Sequence, residues 1–339
     1  MEFLEHVPLA PYTTFKIGGP ARWFAEAATE ADILEAVEVA RSRSLPLFPL
    51  GGGSNLLVSD AGFPGLVLHI ALKGIERQED QFTVAAGENW DGFVSHAVER
   101  EFAGIECLAG IPGTVGGTPI QNVGAYGQEV SETVVSVRAL NLATLKFEEF
   151  ANADCGFSYR RSIFNSTERG RYIVTRVVYR LSQDGQPKIA YADLKRHFQD
   201  GATPSLREVS DAVRAIRRGK GMYIVPGDPD CRSAGSFFKN PIISAEHYAR
   251  IAAQEKTEIP HYPAADNSVK IPAAWLLERA GFYKGYALGE AGISTRHTLA
   301  LVNRGSAKAA DIFALRDKII AEVESRFGIR LEPEPVLVG

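Results

Sequence analysis

Apolar residues recur with two different periods along this chain, and each period predicts a different kind of element. Helical spacing, with apolar side chains at i, i+3 and i+4, predicts helices that begin at Thr29 and at Ser205, where Glu208 completes a capping box. The same spacing predicts helices over residues 90–98 and 272–280, and a long one that is capped by Ser306 and stopped by Gly328. Alternating or short apolar runs predict strands over residues 23–27, 45–50, 66–70, 82–85, 134–142, 172–181 and 299–302. The mixture predicts an α+β protein.

One long stretch, residues 106–129, fits neither period. Its sequence is ECLAGIPGTVGGTPIQNVGAYGQE, in which glycines and prolines are too frequent for the interior of a helix or strand. We therefore predict a long loop, and its apolar side chains argue against disorder. A backbone with so few side chains can approach a flat, phosphate-bearing ligand closely. A tight structural turn is the alternative interpretation.

A second glycine-rich segment, Gly-Gly-Gly-Ser-Asn at residues 51–55, follows the predicted strand over residues 45–50. Its place at the end of a strand–helix–strand pattern is typical of a turn that cradles phosphate. The two glycine segments could therefore close on one extended ligand, with one holding a diphosphate through backbone N–H groups and the other flanking rings. Their spacing alone does not name that ligand.

Composition narrows the class of protein. A chain of 339 residues predicts two or three domains, and 45% hydrophobic with 23% charged residues is ordinary for a globular protein. The net charge of −4 provides no general basic field for nucleic acid or an anionic membrane. Cys107, Cys155 and Cys231 are few and far apart, which favours a reducing compartment. With no apolar run of about 20 residues and no signal-peptide pattern, we expect a cytoplasmic protein without membrane insertion.

Several common motifs do not occur in the sequence. It contains no G-x-G-x-x-G after a strand, no P-loop, no C-x-x-C and no H-E-x-x-H, so it favours neither a Rossmann dinucleotide site nor a metal site. A local basic run is interpreted as a solvated helix face or an anion site; it consists of Arg214, Arg217, Arg218 and Lys220.

Ser236 is the candidate for reactive chemistry, in the segment S-A-G-S-F-F-K-N-P at residues 233–241. With Lys239 it also fits the S-x-x-K motif of penicillin-binding proteins, but the partner motifs S-D-N and K-T-G do not occur. A buried hydroxyl at a turn is the structural alternative. A reactive role would require a charged cluster around the serine.

Two pairs of residues could supply that cluster. Arg160 and Arg161 follow an aromatic residue, and either guanidinium could bind a carboxylate with two hydrogen bonds. Glu332 and Glu334 alternate with prolines near the chain end, where a rigid backbone could fix a carboxylate. Local sequence does not choose within either pair, and glutamates near a chain end are usually solvated.

Taken together, these motifs resemble the UDP-N-acetylenolpyruvoylglucosamine reductase family from Tyr12 to Val338. The resemblance rests on T-T-F-K-I-G-G-P-A, G-G-G-S-N-L-L, I-P-G-T-V-G-G-x-P-I-Q-N-V-G-A-Y-G, Y-R-x-S-I-F, A-G-S-F-F-K-N-P and L-E-P-E, in that order. It implies three domains: an FAD-binding fold of the vanillyl-alcohol-oxidase (PCMH) type in two subdomains, and an α+β substrate-binding domain. The implied bounds are residues 1–60, to which residues 329–339 return, then 61–190 and 205–328.

The resemblance also implies an activity. Noncovalently bound FAD would be reduced by NADPH and would then reduce the enolpyruvyl group of a UDP-sugar, a step of peptidoglycan precursor synthesis in the cytoplasm. The protein is expected to be a monomer without a nucleic-acid partner. Two alternatives are an FAD oxidase of the same fold that passes electrons to oxygen, and a nonenzymatic sensor of UDP-sugars.

The resemblance assigns roles to individual residues. Ser236 matches the proton donor, and Arg160 and Glu334 match the residues that stabilise the enolate-like species. Tyr191, on a connector typical of the group with a mobile tyrosine loop, matches a substrate contact, as do Lys220 and Asn240. The implied FAD-binding residues are Gly51, Gly52, Gly53, Ser54, Asn55, Ile111, Pro112, Gly117, Ile120, Gly124, Ala125 and Tyr126. Two departures from the family pattern are the long segment 221–232 after Lys220, and Pro335 where valine usually follows the glutamate.

Overall fold

The computed structural model describes residues 1–199, 203–255 and 257–339. Backbone contacts divide the chain into two compact units, each made of three segments. The first unit consists of Met1–Val7, Ala21–Gly53 and Phe63–Gly219, and the second of Pro8–Pro20, Ser54–Gly62 and Lys220–Gly339. The three-domain boundaries expected from the sequence stay a prediction, and in this division the helix that follows Ser205 belongs to the first unit.

The first unit begins with a four-stranded sheet. Its strands, in spatial order, are Leu4–Pro8, Pro20–Ala27, Phe63–Ile70 and Leu47–Leu50. Phe63–Ile70 is parallel to the strand on either side, and helix Glu30–Ser42 supplies the crossover that parallel strands require. This helix starts as predicted, with Thr29 and Asp32 forming a reciprocal capping box. The local sequence was therefore sufficient to place the first βαβ element.

A five-stranded antiparallel sheet forms the rest of the β-structure in this unit, together with two short pairs. The sheet strands in spatial order are Lys146–Ala151, Val134–Asn141, Tyr172–Arg180, Gln81–Ala85 and Ile75–Gln78. The short pairs are Gly124–Ala125 with Gln128–Glu129, and Phe102–Ala103 with Ser182–Gln183. Helices Trp90–Val98, Ala192–His197 and Leu206–Gly219 complete the unit. The strands predicted over residues 82–85, 134–142 and 172–181 are confirmed to within a residue or so at each end.

An aromatic cluster forms the centre of the first unit's core. Trp90, Phe93, Phe82, Phe102 and Tyr179 are each at most 1% exposed. Their ring centroids lie 4.9–5.9 Å apart in edge-on or tilted pairs. Each such pair contributes about 0.5–1.5 kcal/mol beyond the burial of its area. The cluster gives the loops that pack on it a rigid base.

In its described residues, the second unit contains small sheets and three α-helices. One sheet contains Ile242–Ser244, Ser268–Lys270 and Tyr262–Ala264, and another contains Ala287–Leu288, Ala291–Ile293 and Leu301–Asn303. The C-terminal strand Val336–Val338 pairs in parallel with Leu56–Val58. The helices are Ala245–Ala252, Ala273–Arg279 and Ala309–Phe327. The apolar face of the last helix, predicted from its spacing, is fully buried through Ile312, Leu315, Ile319 and Val323.

The start of helix Ala309–Phe327 corrects one prediction. Ser306 is not its N-cap; the Ser306 hydroxyl donates instead to Glu290 Oε2 at 3.0 Å. The carboxylate of Asp60 accepts hydrogen bonds from the backbone N–H groups of Ala309 and Ala310, at 2.8 and 3.0 Å. A negative charge at this position also interacts favourably with the helix dipole. The C-terminal stop is as predicted, with Gly328 in the left-handed conformation.

None of the helices in the described ranges is both long and apolar enough to cross a membrane.

Candidate active site

The two glycine segments that the sequence singled out are in contact within the first unit. A Cβ atom on Gly52 would lie 2.6 Å from Gly113 Cα, and one on Gly51 would lie 2.9 Å from Thr114 Oγ1. Real Cβ atoms do not approach a backbone atom that closely, so the contact requires glycine at position 52. Residues 51–53 and 110–117, nearly 60 positions apart in sequence, therefore form one surface that is rich in glycine.

This surface has the properties that a dinucleotide cofactor requires. Gly53 is in the left-handed conformation, and within the described parts of the chain the backbone N–H groups of Gly52 and Gly53 form no hydrogen bond with protein atoms. Turns of this kind bind anions through such N–H groups. No atom lies within 4 Å of the position that a Cβ on Gly117 would occupy. Half-buried apolar side chains flank the loop, namely Ile111, Pro112, Ile120 and Ala125. A diphosphate and a flat ring fit these donors and this open, apolar lining.

The glycine loop, residues 110–127, rests on the aromatic core. Thr118 Oγ1 is 2.7 Å from the hydroxyl of Tyr179, and the same threonine donates to the Val115 carbonyl. The indole N–H of Trp90 donates to the Leu108 carbonyl just before the loop at 3.0 Å. Burial raises the pKa of Tyr179 far above its ordinary value, so its hydroxyl stays neutral at physiological pH. These bonds fix the loop backbone to the aromatic core.

Two arginines of helix Leu206–Gly219 hold the start of the glycine loop. Asp91 Oδ1 accepts from the Gly110 N–H at 2.7 Å and from Arg214 Nη2 at 2.8 Å. Arg217 Nε donates to the Gly110 carbonyl at 3.0 Å. Arg214 and Arg217 therefore do not belong to a solvated face, which was one of the two interpretations of the basic run. Their three-residue spacing places both on one side of the helix. This spacing was the only indication in the sequence that the two arginines contact the same segment.

Arg217 also contacts the far end of the loop. Burial lowers its pKa, while the attraction of Tyr126 and Asp91 and a hydrogen bond with Tyr126 oppose that shift. Tyr126 and Gly127 form the positive-φ turn of a short hairpin. The ring of Tyr191, 45% exposed, lies edge-on to the Tyr126 ring with centroids 5.4 Å apart. The tyrosine-bearing connector thus lies beside the loop.

Arg160 and Arg161 occupy different environments. Arg160 has φ +56° and is half-buried, and its Nη1 lies 3.3 Å from the position of a Cβ on Gly124. Its backbone carbonyl accepts from Asn165 Nδ2 at 3.1 Å. Arg161, the next residue, is exposed. The left-handed backbone at position 160 therefore directs Arg160, and not its neighbour, to the glycine loop.

In the second unit, the segment after Ser236 pairs with the chain end. Phe238 and Pro333 form an antiparallel bridge, and the Glu334 N–H donates to the Phe237 carbonyl at 2.8 Å. Phe237 and Phe238 are at most 1% exposed and anchor the segment in the core. Ser236 immediately precedes them and is half-buried. This pairing brings two residues that are almost 100 positions apart, Ser236 and Glu334, onto adjoining segments.

Glu332 and Glu334 differ in the same way as the two arginines. The side chain of Glu332 is 74% exposed and forms an ion pair with Lys239 at 3.2 Å. Glu334 is half-buried, and Asn55 binds its segment on both sides of Pro335. Asn55 Nδ2 donates to the Glu334 carbonyl at 3.3 Å, and the Asn55 carbonyl accepts from the Val336 N–H at 2.9 Å. Glu332 therefore has the solvated position that is usual for glutamates near a chain end.

The remaining sequence-derived candidates are also placed in the second unit. Asn240 Oδ1 accepts from the Ala273 N–H at 2.9 Å and so helps to cap helix Ala273–Arg279. The Ser54 carbonyl accepts from Thr14 Oγ1 at 3.4 Å. Lys220 is half-buried at the start of the unit's longest segment. Asn240 thus has a structural partner in addition to its predicted contact with substrate.

Comparison with known proteins identifies the family. Residues 21–144 match the FAD binding domain, and residues 228–338 match the C-terminal domain of UDP-N-acetylenolpyruvoylglucosamine reductase. The reductase of Thermobifida fusca is 47% identical over 99% of this chain and 98% of its own length. That of Streptomyces coelicolor is 46% identical over 99% of this chain and 90% of its own length. The chain belongs to the UDP-N-acetylenolpyruvoylglucosamine reductase family.

A solved structure extends the match to the fold. The crystal structure of the UDP-N-acetylenolpyruvylglucosamine reductase of Thermus caldophilus superposes with a TM-score of 0.69. It is 26% identical and covers 100% of this chain and 98% of its own. The resemblance and the fold class predicted from the sequence, an α+β protein with an FAD-binding fold, are confirmed. The assignment of FAD to the surface of residues 51–53 and 110–127 stays a prediction.

Proposed function

We propose that this protein is an FAD-containing, NADPH-dependent reductase that converts UDP-N-acetyl-3-O-(1-carboxyvinyl)glucosamine to UDP-N-acetylmuramate for peptidoglycan synthesis. The observation that carries the proposal is the pairing of Phe237 with Glu334, in a chain whose full-length relatives are named as this reductase. That pairing keeps a hydroxyl and a carboxylate on adjoining segments. A proton donor and an acidic partner are the groups that reduction of an enolpyruvyl ether needs beside its reductant.

Bound FAD would supply the hydride-transfer chemistry that links NADPH to the vinyl methylene of the substrate. The protein holds the cofactor through the backbone donors of residues 51–53 and the lining of residues 110–127. Because these groups are backbone atoms on a fixed base, they bind without losing side-chain entropy. The contact between Gly52 and Gly113 supports this assignment.

Arg160 is proposed to bind the substrate carboxylate. Hydride addition leaves negative charge that is shared with this carboxylate, and a guanidinium stabilises such charge through paired, charge-assisted hydrogen bonds. The half-buried position of Arg160 beside the glycine loop supports its choice over the exposed Arg161. Glu334, half-buried and bound through its backbone by Asn55, is proposed to share the same task.

Ser236 is proposed to donate the proton to the carbon next to the one that receives hydride. A serine hydroxyl is a poor acid in water, so this role requires a preorganised site from which water is excluded. The buried pair Phe237 and Phe238 fixes the backbone directly after Ser236 and supports such preorganisation. Tyr191, Lys220 and Asn240 are proposed to contact the sugar nucleotide, with Lys220 and Tyr191 near its diphosphate. We also propose that the protein acts in the cytoplasm as a monomer.

An absorbance experiment tests the activity against its two alternatives. The purified protein is expected to show the flavin spectrum, to bleach with anaerobic NADPH, and to regain colour on addition of the enolpyruvyl UDP-sugar. Rapid recovery in air alone would indicate an oxidase. A colourless protein that takes up no FAD but binds UDP-sugars would indicate a sensor.

Replacing Gly52 with alanine is expected to weaken FAD binding at least tenfold, which is about 1.4 kcal/mol. The new Cβ would lie 2.6 Å from Gly113 Cα, so one of the two glycine segments must move. Flavin content after purification and titration of the apoprotein with FAD measure the effect. Gly305→Ala is the control, because a Cβ there meets only the Glu290 carboxylate at 3.9 Å. Equal flavin affinity in both variants would contradict the assignment.

A further inference from the structure

The segment after Lys220, which is longer than the family pattern leads one to expect, closes on itself. Gly221 is buried and has φ +66°, and a Cβ there would lie 3.2 Å from Asp230 Cβ and 3.3 Å from Arg296 Nε. Within the loop, Cys231 Sγ contacts the Tyr223 carbonyl at 2.8 Å. The two ends of segment 221–232 therefore meet, and the extra residues do not move Lys220 away from the chain that leads to Ser236.

A half-buried ionic cluster holds the two ends together. Asp230 accepts from the Thr295 N–H at 2.9 Å, from Thr295 Oγ1 at 2.6 Å and from Arg296 Nε at 3.0 Å. Arg296 also binds Asp228. Burial alone would raise the pKa of Asp230, but hydrogen bonds with Thr295, Ser294 and Arg296 lower it below its ordinary value. The carboxylate is therefore ionised at neutral pH.

The charges of this cluster exclude a direct role in binding an anion. Asp228 and Asp230 carry two negative charges against the single positive charge of Arg296, and Arg296 is engaged by both carboxylates. The cluster contacts Gly221, whose peptide bond joins it to Lys220. Fixing the backbone at Lys220 in advance reduces the backbone entropy that is lost when this lysine binds phosphate.

We propose that the Asp230–Arg296 pair is a positioning element that fixes Lys220 for the diphosphate of the UDP-sugar substrate. This inference rests on the proposed function and deepens it. Lys220 contacts the substrate, whereas Asp230 acts through Gly221 on the lysine backbone. Asp230 should therefore affect the affinity for the nucleotide and leave the reduction of the flavin by NADPH unchanged.

The test compares Asp230→Asn with Asp317→Asn in the flavin-loaded protein. Asp317 is an exposed carboxylate of the same unit, paired with Arg316, and serves as the matched control. In Asp230→Asn, the KM for the enolpyruvyl UDP-sugar and the Kd for UDP are expected to rise about tenfold, a typical cost of losing preorganisation. The kcat and the rate of NADPH bleaching should stay within about twofold, as for an interaction made equally in ground and transition states.

A double-variant cycle separates positioning from a general structural effect. In a Lys220→Ala background, Asp230→Asn is expected to cause no further rise in the Kd for UDP, because its effect passes through the lysine. Gly221→Ala should raise the Kd for UDP by a similar factor, and it replaces Asp230→Asn in this test if that variant does not fold. An unchanged Kd in both single variants, or the same rise with and without Lys220, would overturn the proposal. A wild-type protein that binds UDP but does not reduce the enolpyruvyl sugar would overturn the proposed function alone.

Discussion

Ser236→Ala is expected to slow the reoxidation of reduced flavin by the enolpyruvyl UDP-sugar by about 100- to 10,000-fold, the usual contribution of a positioned proton donor. The bleaching of flavin by NADPH should keep its wild-type rate, because that half-reaction uses no proton from Ser236. Anaerobic stopped-flow absorbance follows the two half-reactions separately. The expected result is a variant that is reduced normally and then remains reduced in the presence of substrate.

Ser233→Ala provides the control from the same segment. Ser233 is buried and its hydroxyl accepts from the Gly235 N–H at 3.3 Å, so its loss tests the fold of the segment and not the chemistry. It should leave both half-reactions close to wild type. If Ser236→Ala slowed both half-reactions equally, or neither, Ser236 could not be the proton donor.

Glu334→Gln is expected to lower the rate of the second half-reaction by about 100- to 1,000-fold, as for removal of one electrostatic contact with a transition state. The effect is expected at Glu334 because this residue is half-buried and its backbone is bound to Phe237. Glu332, by contrast, is exposed and paired with Lys239. Single-turnover reoxidation by the UDP-sugar measures the effect.

Glu332→Gln is the matched control for this variant. The substitution is chemically identical and lies two residues away, so effects on the local backbone are shared. It should change the rate less than about fivefold, which corresponds to the ~1 kcal/mol that an exposed ion pair contributes at most. A larger effect at position 332 than at position 334 would reverse the assignment, and with it the alignment of L-E-P-E.

The sequence was sufficient to predict those features that are determined by contacts between neighbouring residues. Thr29 and Asp32 are three residues apart, so the sequence alone was enough to identify their capping box. The start of the last long helix could not be identified in this way, because Asp60 supplies its cap from 249 residues away. The ion pair of Arg214 with Asp91 joins residues 123 positions apart and was missed for the same reason.

The choice between adjacent candidates also needed the fold. Arg160 and Arg161 have the same local chemistry, and only the left-handed backbone at position 160 separates them. The spacing of the glycine segments did not identify their ligand, because segments of this kind suit many phosphate-bearing molecules. The ligands were predicted from the family resemblance. The contact between Gly52 and Gly113 then supplied a physical reason for the glycines.

The discontinuous make-up of the second unit has a practical consequence for dissecting the protein. A fragment that began at Lys220 would lack Leu56–Val58, so Val336–Val338 would be left as an open strand edge, and helix Ala309–Phe327 would lose the carboxylate of Asp60. Open edges of this kind promote aggregation. The second unit therefore cannot be excised by cutting the gene once, whereas a fragment that restores both residues 8–20 and residues 54–62 through designed linkers has the missing parts.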